Sequence, residues 1–349
     1  MAQALLELDG AHGEGGGQIV RTGLFLSLLL RKPFHMTRIR AGRDKPGLKP
    51  QHVAILRLLA EMTESQADGA VPGATELTFT PGRLRPGSWQ ADIGTAGCIP
   101  LVLQTVLPIA VATAGTTRVE ITGGTHVPFG PTVDWMERAY LPWLRRLADV
   151  DLRVERVGFA PEGGGRVAVE VHQPAVVGTP EAFRAHAAAR LGERRIAQGK
   201  VRKVTIRSIA ATGIGREVAR RQALAAYAQL ATMGAPHLDI VDVESDGLGS
   251  AVTCSLEDDA GNVLASDRLG NRGTSAESVG KIAATNLVED WHSGATVDRH
   301  LADHLVPWVA LGAGAVRIPH ATPHLTTNAW VCEQFLGVNC VRTDRNLLR

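Results

Sequence analysis

Apolar segments and polar loops alternate along the chain in an order that recurs three times. In each occurrence a loop opens an apolar helix, a β-branched strand follows, and a second loop leads to another helix. The hydrophobic periodicity predicts a leading strand at 5–8. The predicted helices follow at 19–30, 51–62, 100–112, 132–147, 305–310 and 326–336. The other predicted strands lie at 36–40, 76–80, 117–122, 167–171 and 316–318. This recurrence predicts a three-part internal repeat, and helices packed on small sheets predict an α+β fold.

A long segment between the second and third occurrences has an order of its own. It predicts strands at 201–208, 238–244, 250–257 and 262–267 and helices at 217–233 and 276–292. A segment of this length is large enough to form a separate small domain. We therefore predict a repeat-built domain from residues 1–182 and 295–349, interrupted by an inserted α/β domain at 183–294.

Composition narrows the class of protein. The chain has 349 residues, of which 44% are hydrophobic and 21% are charged, and its net charge is +2. This charge is too small to predict a protein that coats DNA, although a local basic site stays possible. The four cysteines form no CxxC pair, which favours a reducing cytoplasm. The N-terminus lacks a signal-peptide pattern. The sequence contains no apolar run of 18 residues, so we expect no membrane span.

The first candidate for chemistry is His324. It lies between Pro323 and a predicted helix start at residues 326–328, whose Thr-Thr-Asn sequence contains helix-capping residue types. The positive end of a helix dipole disfavours an imidazolium, so a neutral histidine nucleophile fits this position. The alternative is a surface loop histidine with no function.

A glycine-rich loop at residues 13–18, GEGGGQ, precedes the first apolar helix and Arg21. Glycines let a ligand approach the backbone, and the free N–H groups of a helix N-terminus bind anions. The loop is neither a Walker A nor a Rossmann motif. Glu14 would repel a phosphate here unless a Mg²⁺ ion lay between them. A tight turn without a ligand is the alternative.

Basic residues cluster after this helix. Arg38 and Arg40 alternate within a predicted strand and therefore share one face, and Arg43 follows in a loop. Lys45, Lys49 and the pair Gln51-His52 complete the cluster. Arginine binds phosphate through paired hydrogen bonds, so the cluster indicates a phosphate site. A charged, solvated edge strand is the alternative.

Histidines also cluster near the C-terminus. His300 and His304 share one face if the segment is helical, and His320 and His324 share a loop. With Asp303 they could form a zinc site, although no HExxH motif is present. Gln104 lies in an otherwise apolar helix, where a buried amide needs a partner. No GxSxG motif supports a serine nucleophile.

Taken together, these motifs closely resemble the RNA 3′-terminal phosphate cyclase family, in collinear order from about residue 5 to 337. The matching segments are LDGAHGEGGGQIVR at 8–21, RIRAGR at 38–43, PGL at 46–48, QH at 51–52, LVLQTVL at 101–107, GGT at 123–125, HLADH at 300–304 and HLTTN at 324–328. One position departs from the family pattern, which usually has glutamine where this chain has His304. Neutral histidine and glutamine can both donate and accept a hydrogen bond, so the pocket can survive the exchange, although nucleotide preference is in doubt.

The resemblance implies three repeats of a small sheet with two helices, a unit similar to the C-terminal domain of translation initiation factor 3 and to enolpyruvyl transferases, with an inserted α/β domain. It also implies a reaction. ATP adenylates a histidine with loss of pyrophosphate, and the AMP passes to an RNA 3′-phosphate. The neighbouring 2′-OH then attacks to give a 2′,3′-cyclic phosphate and AMP.

The resemblance implies roles for individual residues. His324 matches the adenylated histidine, and Glu14 matches a carboxylate near the metal ion, Mg²⁺ or Mn²⁺. The expected ATP-binding residues are Gln104, His300, Leu301, Ala302, Asp303 and His304, and those expected near the RNA terminal phosphate are Arg21, Arg40, Arg43, Gln51 and His52. Recognition through phosphate and ribose predicts weak base preference and a requirement for RNA over DNA.

Three alternatives stay open on the sequence. A non-catalytic paralogue acting in ribosome assembly would keep the fold but lose the nucleophile and the ATP residues. An enolpyruvyl transferase-like enzyme would use small-molecule substrates, and fold analogy alone does not separate it. A zinc hydrolase would use the histidines without ATP. The physiological RNA and the oligomeric state are left open.

Overall fold

The computed structural model describes residues 5–175, 177, 179–337, 340–344 and 346–349. Its first two units have the predicted alternation of strands and helices. The first contains β1 (Leu6–Asp9), α1 (Gly17–Leu30), β2 (Phe34–Thr37), α2 (Pro50–Thr63), β3 (Gln66–Asp68) and β4 (Leu77–Thr80). The second contains β5 (Gly87–Asp92), α3 (Ile99–Val111), β6 (Gly115–Gly123), α4 (Val133–Trp135), a π-helical turn (Met136–Tyr140), α5 (Leu141–Leu144), β7 (Asp149–Arg156) and β8 (Gly165–Gln173), and α6 (Pro180–Leu191) follows it.

The sheets of these two units have the same topology. Their strand orders are β1-β2-β4-β3 and β5-β6-β8-β7. In each sheet the first two strands are parallel, as in the pairs Leu6–Phe34 and Gly87–Thr117, and the other pairs are antiparallel. Each parallel pair is joined by a helix, as a parallel connection requires. The predicted repeat and the α+β class are confirmed.

The inserted segment forms a third four-stranded sheet. Its elements are β9 (Val201–Ala211), α7 (Arg216–Leu230), a 3₁₀ turn (Ala231–Met233), β10 (His237–Val243), β11 (Ser250–Asp258), β12 (Val263–Leu269) and α8 (Ala276–His292). The sheet order is β10-β9-β11-β12, and α7 and α8 cover one face around a small core of their own.

The last unit contains α9 (Arg299–Ala310), β13 (Val316–Arg317), α10 (Pro323–Leu336), β14 (Thr343–Asp344) and β15 (Leu347–Leu348). The order of its described strands, β13-β15-β14, corresponds to the last three strands of each earlier sheet. The third repeat is therefore present in a shortened form.

One large hydrophobic core unites the three repeats, and it includes fully buried residues of α1, α3, α9 and α10. Phe183, Ala187 and Leu191 on α6 also belong to this core. The division of the chain at 182/183 and 294/295 stays a prediction, and the packing of α6 favours an insert that begins after Leu191. No helix in the described part of the chain is long and apolar enough to cross a membrane.

Polar contacts hold the inserted sheet against the second and third repeats. Arg207 Nε on β9 donates to Asp134 Oδ1 at 3.1 Å, and the backbone N–H of Thr132 donates to Asp267 Oδ2 at 2.7 Å. Asp298 caps α9 through Oδ1 and accepts the N–H of Ala265 through Oδ2 at 3.1 Å. The N-terminus of α9 is thus positioned by the insert.

Candidate active site

His324 is the second residue of α10, not part of the loop before it. The helix begins at Pro323 and is capped by Thr322, whose Oγ1 accepts the N–H of Leu325 at 3.0 Å. The predicted start at residue 326 was therefore wrong. Proline fits the first helical position because its missing N–H would have no partner there, so Thr-Pro was the signal that the sequence interpretation missed. The imidazole lies within the first turn, at the positive end of the helix.

Glu14 joins His324 to Arg43. Its Oε2 lies 3.0 Å from His324 Nδ1, and its Oε1 is paired with the guanidinium of Arg43. The backbone N–H of Glu14 donates to Thr327 Oγ1 at 3.1 Å, which ties the glycine loop to α10. Because the carboxylate faces Nδ1, the opposite ring nitrogen, Nε2, is the one left for chemistry.

The pKa of His324 is lowered below its ordinary value. Partial burial is the main cause; the cations Arg21 and Arg43 act in the same direction, while Asp303 opposes them. The side chain is still 47% exposed, so a substrate can reach it. A neutral imidazole with an accessible lone pair is what a histidine nucleophile requires.

Two glycines allow the close packing around this site. Gly13 has φ +57°, and a Cβ there would lie 2.5 Å from Thr327 Oγ1. A Cβ at Gly17 would lie 2.3 Å from His52 Nε2. These glycines bring the loop onto α10 and onto the start of α2, as expected of a loop that approaches a ligand.

His52 presents a buried donor to this loop. Its Nδ1 accepts the backbone N–H of Lys49 at 3.0 Å, and the described residues offer its Nε2 no hydrogen-bond partner. Burial lowers the pKa of His52 to about 3, with Arg21, Arg40 and Lys49 contributing, so the ring is neutral. Since Nδ1 accepts, Nε2 carries the proton. A phosphate oxygen beside Gly17 would supply the missing acceptor.

Arg21 and Gln104 form a second part of the same pocket. Arg21 Nε donates to Gln104 Oε1 at 2.9 Å, which supplies the partner that the buried amide was expected to need. Arg21 is only 8% exposed, and burial lowers its pKa to about 10. The side chain of Gln51 accepts the N–H of Cys98 at 3.2 Å. Arg21 and His52 thus both lie beside Gly17, and Gln51 precedes His52; their role at an RNA phosphate stays a prediction.

The prediction that Arg38 and Arg40 share a strand face was wrong. β2 ends at Thr37, and both arginines have left-handed backbones, with φ +53° and +54°. Arg38 pairs with Asp9, while Arg40 is buried and its Nη1 donates to the carbonyl oxygens of Lys45 and Gly47, each at 2.8 Å. Alternation in MTRIR resembled a strand because a turn formed by left-handed residues leaves no mark in the hydrophobic pattern.

The HLADH segment lies in the first half of α9, so His300 and His304 share a helix as expected. His300 is exposed at the helix start, whereas the side chains of Leu301 and Ala302 are buried in the core. Asp303 accepts a hydrogen bond from Thr322 Oγ1, and burial raises its pKa to about 6. The side chain of Asn328, a residue of the HLTTN segment, donates to the carbonyl of Asp303 at 2.8 Å.

His304 packs against aromatic rings on the second repeat. The ring centroids of Trp135 and Tyr140 each lie 5.1 Å from its own. Burial lowers its pKa to about 3, and no described residue pairs with its Nδ1. A cavity of about 20 Å³, lined in part by Arg21, Gln104 and Tyr140, adjoins the ring. This volume can hold one water molecule, which would satisfy that nitrogen.

A metal ion has one fitting ligand here. Glu14 Oε2 is buried, and within the described residues it makes no aligned hydrogen bond despite its distance to His324. A hard divalent cation prefers such a carboxylate oxygen and takes its other ligands from phosphates and water. Within the described ranges, no three His, Cys, Asp or Glu side chains come close enough to hold a metal ion, so the zinc alternative has no ligand set.

Comparison with known proteins agrees with these motifs. The family model for RNA 3′-terminal phosphate cyclase matches residues 12–341. A protein of that name from Pyrobaculum aerophilum is 40% identical over 95% of this chain and 93% of its own length. Another from Methanopyrus kandleri is 36% identical over 96% of this chain and 94% of its own.

Among solved structures, the enolpyruvyl transferase NikO from Streptomyces tendae is 16% identical and covers 45% of this chain and 30% of its own, with a TM-score of 0.23. That likeness is too slight to carry an argument. The family match and the sequence relatives span nearly the whole chain. The chain belongs to the RNA 3′-terminal phosphate cyclase family.

Proposed function

We propose that this protein converts an RNA 3′-terminal phosphate to a 2′,3′-cyclic phosphate through a covalent histidine–AMP intermediate. Family membership makes it an ATP-dependent enzyme of the ligase type. The observation that carries the finer proposal is the contact of His324 Nδ1 with Glu14 at the start of α10, which leaves Nε2 free. The scattered cysteines support a reducing, cytoplasmic location.

In the first step, His324 Nε2 attacks the α-phosphorus of ATP. A P–N bond forms, the bond to the β-phosphate oxygen breaks, and pyrophosphate leaves with that electron pair. Glu14 Oε2 lies 3.0 Å from Nδ1, and its negative charge stabilises the positive charge that the ring gains. The lowered pKa of His324 supports this role because it keeps the attacking nitrogen unprotonated near neutral pH.

In the second step, an oxygen of the RNA 3′-phosphate attacks the phosphorus of the histidine adduct. AMP passes to the RNA, and His324 is released as a neutral imidazole. Arg21, the Nε2–H of His52 and Gln51 lie together at the start of α1 and α2, which supports their binding of the RNA phosphate. Arg43 is half exposed beside Glu14 and can contact the same phosphates.

In the third step, the adjacent 2′-OH attacks the 3′-phosphorus and loses its proton to solvent, and the phosphoanhydride bond to AMP breaks. AMP leaves with that electron pair as the cyclic diester closes. The terminal ribose must therefore carry a 2′-OH, so the mechanism requires an RNA end. Asp303, with a pKa of about 6, is mainly a carboxylate at neutral pH. It can therefore accept a hydrogen bond from a ribose hydroxyl of ATP. Gln104 orients Arg21 by accepting its hydrogen bond. His300 and His304 are the other side chains proposed to contact ATP.

Glu14 Oε2 would hold the divalent cation, Mg²⁺ or Mn²⁺, when ATP binds. The ion would offset negative charge on the pyrophosphate leaving group. Arg43, which is paired with Oε1, would help to hold the Glu14 carboxylate in place for the ion.

The test is adenylation by α-³²P-ATP with Mg²⁺, followed by a denaturing gel. We expect labelled wild-type protein and no label in His324→Ala, while His320→Ala, an exposed histidine just before α10, should label normally. A 3′-phosphorylated RNA should discharge the label, and an RNA with a 2′-deoxy terminal ribose should accept AMP without cyclising. Absence of label with either metal would overturn the mechanism and favour a non-catalytic role.

A further inference from the structure

Phe129 is the most exposed large hydrophobic residue described. Its side chain is 97% exposed, and its backbone is left-handed, with φ +68°. This conformation is unfavourable for a bulky residue, and an exposed phenyl ring gains nothing from burial. Neither cost is explained by folding, so the ring is a candidate for a contact with a ligand.

The loop that carries Phe129 is firmly anchored on both sides. Before it, Val127 is 3% exposed and packs with Cys98 and Leu101. After it, the carbonyl of Pro131 accepts from Cys98 Sγ at 3.7 Å, and the N–H of Thr132 donates to Asp267 Oδ2 at 2.7 Å. The ring is therefore held out by an ordered backbone, which lowers the entropic cost of using it as a binding surface.

The anchors of this loop also contact residues of the candidate active site. Cys98, which contacts the loop, also donates its N–H to Gln51 Oε1 at 3.2 Å, and Gln51 precedes His52 in the proposed phosphate pocket. On the other side, Asp267 acts electrostatically on His300 at the start of α9. The loop that carries Phe129 is thus linked through Cys98 to the proposed phosphate-binding residues and through Asp267 to the N-terminus of α9.

We propose that Phe129 stacks on a nucleobase of the RNA 3′ end and so contributes to substrate binding. The inference rests on the proposed function. Proteins that bind single-stranded nucleic acid without base preference pair a cationic backbone site with exposed aromatic rings, because every base has a π-face. Here the cations bind the terminal phosphate, and a ring on a loop linked to the same residues is placed to meet the base attached to that end.

The test separates RNA binding from adenylation. For Phe129→Ala we expect a KM for 3′-phosphorylated RNA raised roughly tenfold, since one base–aromatic stack contributes about that factor or more. Labelling by α-³²P-ATP without RNA should be unchanged. Phe129→Trp should restore the KM, whereas Phe129→Leu should not. Leu248→Ala, which removes an exposed apolar side chain on the insert, is the matched control and should leave the KM unchanged.

Substrates provide a second arm. An RNA whose last nucleotides are abasic should bind wild type as weakly as Phe129→Ala binds normal RNA. Combining the abasic RNA with the variant should raise the KM little further. Phe129→Asn guards against misfolding, because asparagine tolerates a left-handed backbone. An unchanged KM for RNA in these variants would overturn the proposal, and so would a raised KM for ATP alone, which would assign the ring to adenine. Loss of the adenylate label in wild type would instead defeat the proposed function.

Discussion

Glu14 Oε2 and His324 Nδ1 lie 3.0 Å apart, although the two residues come from opposite ends of the chain. The glycine loop before α1 supplies the carboxylate, and the first turn of α10 supplies the imidazole. The contact places Nδ1 against the protein and leaves Nε2 without that partner. It therefore connects the first and third repeats at the atom where the proposed chemistry occurs.

Glu14→Gln tests this contact. We expect adenylation to slow by roughly 10²-fold, since the carboxylate that orients the histidine of a Ser-His-Asp triad contributes up to about 10⁴-fold. The rate is measured in single turnover with α-³²P-ATP at several Mg²⁺ concentrations. If saturating Mg²⁺ restores the full rate, Glu14 acts only as a metal ligand. Glu64→Gln, which also removes an arginine-paired carboxylate, is the control and should have no effect.

The pH dependence of adenylation reports the pKa of His324. Because burial and nearby cations lower that pKa, the acid limb of the wild-type profile should lie below the ordinary histidine value of about 6.5. Arg43→Gln removes a cation and should move the limb to higher pH. Asp303→Asn removes the anion that favours the imidazolium and should move it to lower pH. Shifts of both variants in the same direction would contradict this electrostatic account.

Much of this molecule could be predicted from its hydrophobic pattern. The helix at 276–292 was predicted with the bounds that the structure shows, because Ser275 caps a strongly periodic segment. The repeat could also be predicted, because the order of loop, apolar helix and strand recurs along the sequence. The turn at Arg38 and Arg40 was not, because a left-handed backbone at arginine has no compositional signal.

The candidate site was only partly predictable. Motif residues such as His324, Glu14 and His52 could be identified, but their partners depend on packing between distant segments. The contact of Asp303 with Thr322 and the orphaned Nε2 of His52 are of this kind. Phe129 carried no motif, and only its exposed ring and backbone conformation in the folded chain distinguish it.

Arg40 should contribute more to stability than to catalysis. Its guanidinium donates two hydrogen bonds to carbonyl oxygens of its own loop, and the side chain is buried. Arg40→Ala should lower the free energy of unfolding by about 2–3 kcal/mol, because it leaves those buried acceptors unpaired. Urea unfolding measures this effect. Arg43→Ala, at a half-exposed position, should leave stability nearly unchanged, and an equal loss in both variants would contradict the distinction.

His304 should make the protein sensitive to acid. Its pKa is lowered to about 3 by burial, whereas the unfolded chain has the ordinary value of about 6.5. A depressed pKa contributes stability above pH 6.5 that is lost as the pH falls towards 3, at about 1.4 kcal/mol per pH unit. His304→Gln replaces the ring with a side chain that does not titrate. The free energy of unfolding of this variant should therefore fall by about 2 kcal/mol less than that of wild type between pH 7 and pH 5. Urea unfolding at both pH values measures the difference, with the exposed His237→Gln as the control. Equal losses in wild type and His304→Gln would mean that the buried ring is not what opposes protonation.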